Sequence, residues 1–438
     1  MFSLVCVLQC ALSCVIIKKM KEAGRLFIVK QKTKKTVKNV CCALASVTLA
    51  CAAFGACGTG GGGNGGNSEL PFYVNPTEAT YGEYTREKMI TPYWQGNVIY
   101  NETVMLVDDG ESISGKLQYT PVKILSVRDY TWTTEYQEGK DYTVAGNVLS
   151  LATNSDMPYL TEANLIGNDL PDGYQLVDSI ATVETDVVKM GATIYTEGSL
   201  IYGHQVSVSY VYNPDDITVA PSVFQAPKTK AKLKAGEDIT IVTTGDSVMA
   251  GCSTSGYFNH APYMPTYMEL VKEGLETKYD GNVTLINKAV GGKQSGWGAS
   301  DSHINDLIAQ NPDILLIHFG INDCGGGISK NMYGDNIEYI VLQVQAALPD
   351  CEIVLIKAFT PHPVTYDTDK FEAYWQKLDG ISAANENVTT LDMYTASTEM
   401  LKVKKYMDVT GNGINHLNDF SARLYTMHIL NSLIDYKA

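Results

Sequence analysis

The second half of the chain repeats one pattern five times: a short run of β-branched and apolar residues followed by a longer segment with helical periodicity. The strand-like runs lie near residues 238–244, 282–288, 313–319, 352–358 and 388–391. The helical patterns lie near residues 264–278, 300–310, 334–347, 369–385 and 420–436. Strands that alternate with helices pair in parallel, because each crossover returns the chain to the same edge of the sheet. We therefore expect an α/β domain with a five-stranded parallel sheet between two helical layers.

The first of these strands ends in an abrupt turn that carries a serine. Residues 239–251 read ITIVTTGDSVMAG, so an apolar run suited to a buried strand stops at Gly245 and delivers Ser247 to the rim of the sheet. Open α/β sheets carry their ligands at this edge, and a serine there becomes a nucleophile if a histidine reaches it. Alone, the tripeptide Gly245-Asp246-Ser247 is a weak signal, since an ordinary turn with a capping serine can have the same sequence.

Three further polar blocks follow in order, at the ends of apolar runs or in a late loop: Asn287–Gly292, Gly320–Asp323 and Asn412–Asp419. Together with the serine turn they resemble the blocks of the SGNH hydrolases, also called the GDSL-like esterase and lipase superfamily. The resemblance covers about residues 239–435. It implies a flavodoxin-like three-layer α/β/α fold and the hydrolysis of ester bonds.

The same resemblance implies the role of each site residue. Ser247 would be the nucleophile and His416 the general base. The backbone N–H groups of Ser247 and Gly292 and the side-chain amide of Asn322 would form the oxyanion hole. These assignments suit the chemistry, because donors that are fixed in advance stabilise the developing oxyanion, and losing one typically costs roughly 3–4 kcal/mol. Gly292 also lets the backbone approach a substrate closely, since it has no Cβ.

The sequence departs from the family pattern at the acid that orients the histidine. The family usually has Asp three residues before this histidine, or four in one variant, and here those positions hold Gly413 and Asn412. Two accounts are open. Either a backbone carbonyl or the Asn412 side chain orients His416 in a Ser–His dyad, or Asp408 or Asp419 supplies the acid. We favour the dyad and expect Asp408→Ala and Asp419→Ala each to retain most activity.

Other residues near the blocks have a structural and a functional interpretation. Trp297 could form an aromatic wall for a sugar ring or pack beneath its loop. Cys252 and Cys324 follow the serine and the asparagine closely, and two buried thiols are favoured over a disulfide or a metal pair. His318 lies inside an apolar strand, which favours a core histidine. No spacing among the histidines and cysteines indicates a metal site, and we expect neither a metal nor an organic cofactor.

The N-terminal 57 residues have the composition of an export leader. Lysines precede an apolar stretch rich in small residues at 40–56, and Cys57 follows it as in a bacterial lipoprotein signal. A glycine-rich tether, 58–69, comes next. These features predict an extracytoplasmic protein that is anchored at the cell surface by lipid on Cys57, with a secreted protein as the alternative.

The region between the tether and the α/β half has a different pattern. Residues 70–213 alternate apolar and polar side chains, with strand-like runs at 97–107, 116–127, 142–151, 186–196 and 204–212. We expect an all-β sandwich here, with a jelly-roll-like arrangement. The proline-containing segment 214–236 is interpreted as a linker, and 237–438 as the hydrolase domain.

The charge of the chain limits its partners. Beyond Cys57 there are 24 basic and 47 acidic side chains, a net charge of −23. Such an acidic surface excludes nucleic acid and anionic lipid as partners and favours a neutral or cationic substrate. Contact with a membrane is then expected only through the N-terminal lipid anchor.

Taken together, the sequence predicts an exported serine esterase that hydrolyses small acyl esters, acetyl above all, on carbohydrate. Its substrate would be an ester-bearing polysaccharide or a small ester. Three alternatives stay open. The same site could belong to a lipase or lysophospholipase, or to an acyltransferase. The chain could also be a non-catalytic surface lipoprotein that binds glycans.

Overall fold

The computed structural model describes residues 70–82 and 85–436. The predicted leader 1–57 with Cys57 and the glycine-rich tether 58–69 lie outside these residues. Within the described part of the chain, no helix has the length and apolar character needed to cross a membrane.

The N-terminal region is built mostly of β-strands, as predicted. The strands are β1 (Val98–Met105), β2 (Val107–Asp108), β3 (Ile113–Lys116), β4 (Pro121–Asp129), β5 (Glu135–Tyr136), β6 (Tyr142–Ala145), β7 (Val148–Leu151), β8 (Leu160–Thr161), β9 (Gln175–Leu176), β10 (Asp186–Lys189), β11 (Ile194–Thr196) and β12 (Gln205–Tyr212). They form sheets of order β1-β12-β4-β5, β6-β7-β3-β2-β8 and β11-β10-β9. This β-rich region fits a sandwich domain. Three short helices accompany the strands: α1 (Arg86–Ile90), α2 (Glu162–Leu165) and α3 (Ser199–Tyr202).

Two stretches that the sequence predicted as single strands are hairpins. The stretch 142–151 folds into β6 and β7, which pair antiparallel, and 186–196 folds into β10 and β11. Each hairpin turns at a glycine with positive φ: Gly146 at 60° and Gly191 at 66°. Glycine adopts this conformation at little steric cost, so the chain reverses within a run that looks continuous in sequence. The second hairpin matters most, because it places the residue after β11 against the C-terminal domain.

The C-terminal half contains the predicted parallel sheet. Its strands are β13 (Ile239–Gly245), β14 (Val283–Asn287), β15 (Ile314–His318), β16 (Glu352–Lys357) and β17 (Val388–Asp392), in the order β14-β13-β15-β16-β17. All neighbouring pairs are parallel. Every residue of β15 and β16 is buried, as expected for central strands that are covered on both faces. The fold class predicted for this half is confirmed.

Helices connect and cover these strands. They are α4 (Pro227–Lys234), α5 (Ser247–Ala250), α6 (Tyr267–Lys278), α7 (Ser295–Gly298), α8 (Asp301–Ala309), α9 (Ile321–Gly325), α10 (Lys330–Ala347), α11 (Asp369–Ala384), α12 (Met393–Met400), α13 (Tyr406–Val409) and α14 (Asp419–Leu433). Helix α4 lies inside the predicted linker 214–236 and contacts β13. Its first residues are fixed by Glu352, whose carboxylate accepts hydrogen bonds from the backbone N–H groups of Lys228 and Thr229.

The two halves share a buried polar interface along β1. Glu102 of β1 forms an ion pair with Lys404, at 2.7 Å between Oε1 and Nζ, and both side chains are fully buried. The guanidinium of Arg423 donates hydrogen bonds to the carbonyls of Tyr100 and Asn101, at 2.9 and 2.7 Å. Buried polar groups satisfied across a boundary fix the position of one half against the other, since separating them leaves charges without partners.

Candidate active site

The serine of the first block lies at the carboxyl edge of the sheet, where β13 gives way to α5. Asp246 caps this short helix by accepting a hydrogen bond from the Val248 N–H at 3.0 Å. Gly245 is required by close approach, because a Cβ there would collide with the carbonyl oxygen of His318 on the neighbouring strand. The turn thus places Ser247 at the carboxyl end of β13, next to the end of β15.

His416 meets this serine across 169 positions of sequence. Its Nε2 lies 2.9 Å from the Ser247 Oγ, which is hydrogen-bonding distance. Each of the two residues is only 3% exposed. A serine hydroxyl that contacts an imidazole nitrogen in this way can pass its proton to the ring as it attacks.

The loop that carries His416 is held by Asn412. The Asn412 Oδ1 accepts hydrogen bonds from the backbone N–H groups of Ile414, Asn415 and His416, each at 3.0 Å. The His416 carbonyl in turn accepts from the Gly411 N–H at 3.0 Å. Asn412 therefore fixes the backbone around the histidine, whereas the sequence analysis gave its side chain as one alternative for orienting the ring.

The carboxylates of the other two predicted orienting residues, Asp408 and Asp419, form hydrogen bonds with residues other than His416. The Asp408 carboxylate accepts hydrogen bonds from the backbone N–H groups of Met105 and Lys405, both at 2.7 Å. The Asp419 carboxylate accepts from the backbone and the hydroxyl of Ser255, at 2.8 and 2.7 Å. Both carboxylates hold the fold around the site.

A carboxylate from the β-rich region faces the histidine ring, and the sequence prediction of a Ser–His dyad did not include it. The Glu197 Oε1 lies 3.3 Å from the His416 Nδ1. Ser253 stands beside both: its Oγ is 3.2 Å from the His416 Nδ1 and donates to the Glu197 Oε2 at 3.2 Å. Tyr195 donates its phenolic hydroxyl to the Glu197 Oε1 at 2.6 Å.

Glu197 stays ionised in this setting. Burial by itself would raise the pKa of the Glu197 carboxyl, but the charge interaction with His416 and hydrogen bonds from His416, Tyr195 and Ser253 outweigh it. The net result is a pKa below the usual range for glutamate. A fixed negative charge is thus available on the side of the ring that faces away from Ser247.

The predicted oxyanion-hole residues follow three neighbouring strands. Ser247 follows β13, Gly292 follows β14 and Asn322 follows β15, and these strands are adjacent in the sheet. Gly292 adopts a φ of 76°, in the left-handed region that favours glycine. The Asn322 amide donates one hydrogen bond to the Lys293 carbonyl at 3.1 Å, which orients it beside the loop that carries Gly292.

A buried carboxylate ties these two loops together. Asp323 accepts hydrogen bonds from the Ser295 backbone N–H, at 3.1 Å, and from its hydroxyl, at 2.5 Å. Burial raises the pKa of Asp323 to about 6, although the hydrogen bonds from Ser295 oppose the shift. The contact links the segment after Gly292 to the helix that begins beside Asn322.

The remaining candidates have structural environments. Trp297 is half-buried and packs against His303 and Phe319, with ring centroids 4.0 and 6.4 Å away. This position agrees with the structural interpretation of Trp297, in which the ring packs beneath its loop. Cys252 and Cys324 are buried and form no disulfide, as expected. Among residues 70–82 and 85–436, no cluster of three or more His, Cys, Asp or Glu side chains is arranged to hold a metal ion.

Glu197 and Ser253 are the site residues that sequence reasoning missed. Glu197 precedes the serine by 50 positions and lies in a region of another fold class, so no motif spacing points to it. The available signal was indirect: a histidine block without its acid is compatible with a dyad and equally with an acid from another part of the chain.

A serine hydroxyl in contact with an imidazole at the carboxyl edge of a parallel α/β sheet is an arrangement that serine hydrolases use. Residues 243–423 match the model of the GDSL-like lipase/acylhydrolase family, and this part of the chain belongs to that family. The chain therefore contains an SGNH-type serine hydrolase domain that acts on esters.

Several solved structures are similar to part of the chain at low identity. A variant of an acetyl-xylooligosaccharide esterase from Geobacillus stearothermophilus is 17% identical, with 46% of this chain and 96% of that chain covered and a TM-score of 0.39. A GDSL-like lipase from Parabacteroides merdae is 19% identical, with 46% and 97% covered and a TM-score of 0.37. A lipase/acylhydrolase from Enterococcus faecalis is 20% identical, with 44% and 94% covered and a TM-score of 0.37. No curated protein matches the chain.

Proposed function

We propose that the protein is an exported esterase that removes small acyl groups, acetyl above all, from carbohydrate. Ser247 is the nucleophile and His416 the general base. The observation that carries this proposal is the 2.9 Å contact between the Ser247 Oγ and the His416 Nε2 at the carboxyl edge of the sheet.

The reaction runs in two halves at this pair. In the first, Ser247 attacks the acyl carbonyl while the His416 Nε2 takes the hydroxyl proton, and the oxyanion is held by the N–H groups of Ser247 and Gly292 and the amide of Asn322. His416 then gives the proton to the leaving sugar oxygen. In the second half, water attacks the acyl-serine, His416 takes a proton from the water, and the free acid leaves as Ser247 regains its proton.

Access and charge support the proposed substrate. The reacting side chains are almost fully buried, which suits a short acyl group on a carrier that stays outside. The excess of acidic residues beyond Cys57 disfavours a polyanionic carrier and is compatible with a neutral polysaccharide. The leader and Cys57 support export and lipid anchoring at the cell surface, where such a polymer would be met.

The test compares the wild-type protein with Ser247→Ala on nitrophenyl acetate, butyrate and octanoate, and on acetylated xylan, mannan and peptidoglycan. We expect activity on the acetyl esters, falling as the acyl chain lengthens. Ser247→Ala should lose at least about a thousandfold in kcat, because no other group can form the acyl intermediate.

The alternatives give different results in the same experiment. Faster turnover of octanoate than of acetate would indicate a lipase or lysophospholipase. Transfer to an added alcohol that exceeds hydrolysis would indicate an acyltransferase. Retention on a polysaccharide without hydrolysis of any ester would indicate a glycan-binding lipoprotein and would refute the proposal.

A further inference from the structure

We infer that the β-rich region supplies a positioning residue of this esterase: Glu197 orients His416, so the active site is completed across the boundary between the two halves of the chain. This inference rests on the proposed function, since it assigns the third member of the same site. It changes the interpretation of the β-rich region, whose contribution then includes the chemistry itself.

The geometry suits this role. The His416 Nδ1 lies 3.3 Å from the Glu197 Oε1 and 3.2 Å from the Ser253 Oγ, while the Ser253 hydroxyl donates a hydrogen bond to the Glu197 Oε2. A carboxylate on this side of the ring keeps the proton on Nδ1, which leaves Nε2 free to accept from Ser247. The same carboxylate stabilises the imidazolium that forms when the serine attacks.

The structure also explains why the histidine loop carries no acid of its own. Gly413, three residues before His416, has a φ of 82°, and a Cβ there would lie 2.7 Å from the Ile194 carbonyl oxygen and 2.8 Å from the Ile201 Cδ1. The β10–β11 hairpin and helix α3, which follows it, therefore fill the space that a side chain at 413 would need. The same hairpin delivers Glu197 immediately after β11, so one element both excludes the loop acid and replaces it.

Several contacts fix Glu197 in place. Its neighbour Thr196 donates its backbone N–H to the Asn412 carbonyl at 3.3 Å and its hydroxyl to the Asp186 carbonyl at 3.0 Å. Glu197 itself is 5% exposed and accepts from Tyr195 as well as Ser253. Ser253 adopts a φ of 70°, which is uncommon for a residue with a Cβ and is typical of positions held by their surroundings at functional sites.

The buried interface along β1 keeps the two halves, and with them Glu197 and His416, in fixed positions. The Glu102–Lys404 ion pair and the contacts of Arg423 bind β1 to the segment that leads into and follows the His416 loop. An acid held on one half can orient a base on the other only if the two halves do not slide, and buried paired charges resist such sliding.

The decisive experiment measures kcat, KM and the pH–rate profile of Glu197→Gln beside the wild type. We expect kcat to fall by about 10²- to 10⁴-fold with KM nearly unchanged, because substrate binding does not involve Glu197. The acid limb of the profile should move to lower pH, since the imidazolium loses its facing carboxylate. Glu197 is the carboxylate that faces the His416 ring, and Tyr195 is the titratable group that hydrogen-bonds Glu197 from behind. The shift therefore reports on the contact between Glu197 and His416. Glu197→Asp should recover part of kcat.

Glu102→Gln is the matched control, because it alters a buried interdomain glutamate without touching His416. It should lower stability, but the contacts of Arg423 with Tyr100 and Asn101 still hold the two halves together. The folded protein should therefore keep a kcat near that of the wild type and an unshifted acid limb. If Glu197→Gln, shown to be folded by circular dichroism, retains kcat within threefold and the same pH profile, the inference is wrong. If Glu102→Gln loses as much kcat as Glu197→Gln, the effect belongs to domain docking and the inference is also wrong.

A fluorophosphonate probe separates this inference from the proposed function. The probe reacts with an activated serine whatever the natural substrate is, with Ser247 forming the P–O bond and fluoride leaving. If the wild type hydrolyses no ester but is labelled at least about a hundredfold faster than Glu197→Gln, the substrate proposal fails and the role of Glu197 stands. Equal labelling rates overturn the role of Glu197, whether or not esters are hydrolysed.

Discussion

At the scale of single residues, the site depends on positions where only glycine fits. Gly245 and Gly413 are both such places, the first because β15 lies against it and the second because the β10–β11 hairpin does. Each excludes a Cβ at a position next to the reacting groups. The identity of these residues is therefore set by backbone contact, and it can be tested by adding a side chain.

Gly413→Asp restores the acid that the family pattern places three residues before the histidine, and we expect it to harm the protein. The residue would need a φ of 82° and would meet the Ile194 carbonyl at 2.7 Å. The positive φ costs about 1–2 kcal/mol and the overpacking about 1–3 kcal/mol. Urea unfolding should show a loss of roughly 2–5 kcal/mol.

Kinetics on the folded fraction complete that test. If Gly413→Asp is as stable as the wild type and also restores full activity to Glu197→Gln, the hairpin does not exclude a side chain at 413. Gly413→Ala serves as the control for the backbone effect without a charge.

At the scale of elements, the loop around His416 is as important as the strands that frame it. Strand β13 presents Ser247 through a turn, while the loop 410–418 presents His416 through hydrogen bonds to one asparagine. Three of the loop's hydrogen bonds share this one acceptor, and removing the oxygen leaves three buried or half-buried N–H groups without their partner.

Asn412→Ala should therefore lower both stability and activity. We expect a loss of about 2–4 kcal/mol in the free energy of unfolding, since several hydrogen bonds share the deleted oxygen. In kinetic assays kcat should fall about tenfold or more as the histidine loop loosens.

Asn412→Asp is the matched variant, because its carboxylate keeps an acceptor for the same three N–H groups. It should retain most of the stability and kcat. A result in which Asn412→Ala behaves like the wild type in thermal unfolding and in turnover would show that the loop is held by other contacts.

The elements also show how far the sequence could predict this protein. The parallel strands were predictable because each is a continuous apolar run that is buried on both faces. The hairpin that precedes Glu197 was not, because strand-forming residues continue on both sides of Gly191 and hide the turn. Ser247, Gly292 and Asn322 could be placed from their blocks. The contact between Glu197 and His416 could not, since it joins segments of different fold class that meet only when the two halves pack.

At the scale of the whole molecule, the two halves share their stability as well as the site. The interface along β1 buries an ion pair with no exposed atoms in either side chain, and Arg423 adds hydrogen bonds to two carbonyls of the other half. Charges of this kind are tolerated only while they stay paired, so one half is not expected to open while the other remains intact.

We accordingly predict a single cooperative unfolding transition for both halves. Scanning calorimetry should give one peak for the wild type. Glu102→Gln, which leaves Lys404 buried opposite an amide, should lower the free energy of unfolding by about 3–5 kcal/mol. Two separate peaks in the wild type, or an unchanged melting temperature in Glu102→Gln, would contradict this interpretation.

The exclusion of a side chain at Gly413 has a consequence for inheritance. A lineage that lost the β10–β11 hairpin would lose its carboxylate at the same moment, and the vacated space would be filled only by a second mutation that brought an acid into the histidine loop. Because neither change is useful without the other, we expect the β-rich region and the hydrolase domain to be inherited together and rarely recombined with other domains. Recombination that exchanged one half for a foreign counterpart would remove the carboxylate from the histidine and would also leave the buried charges of the interface without their partners.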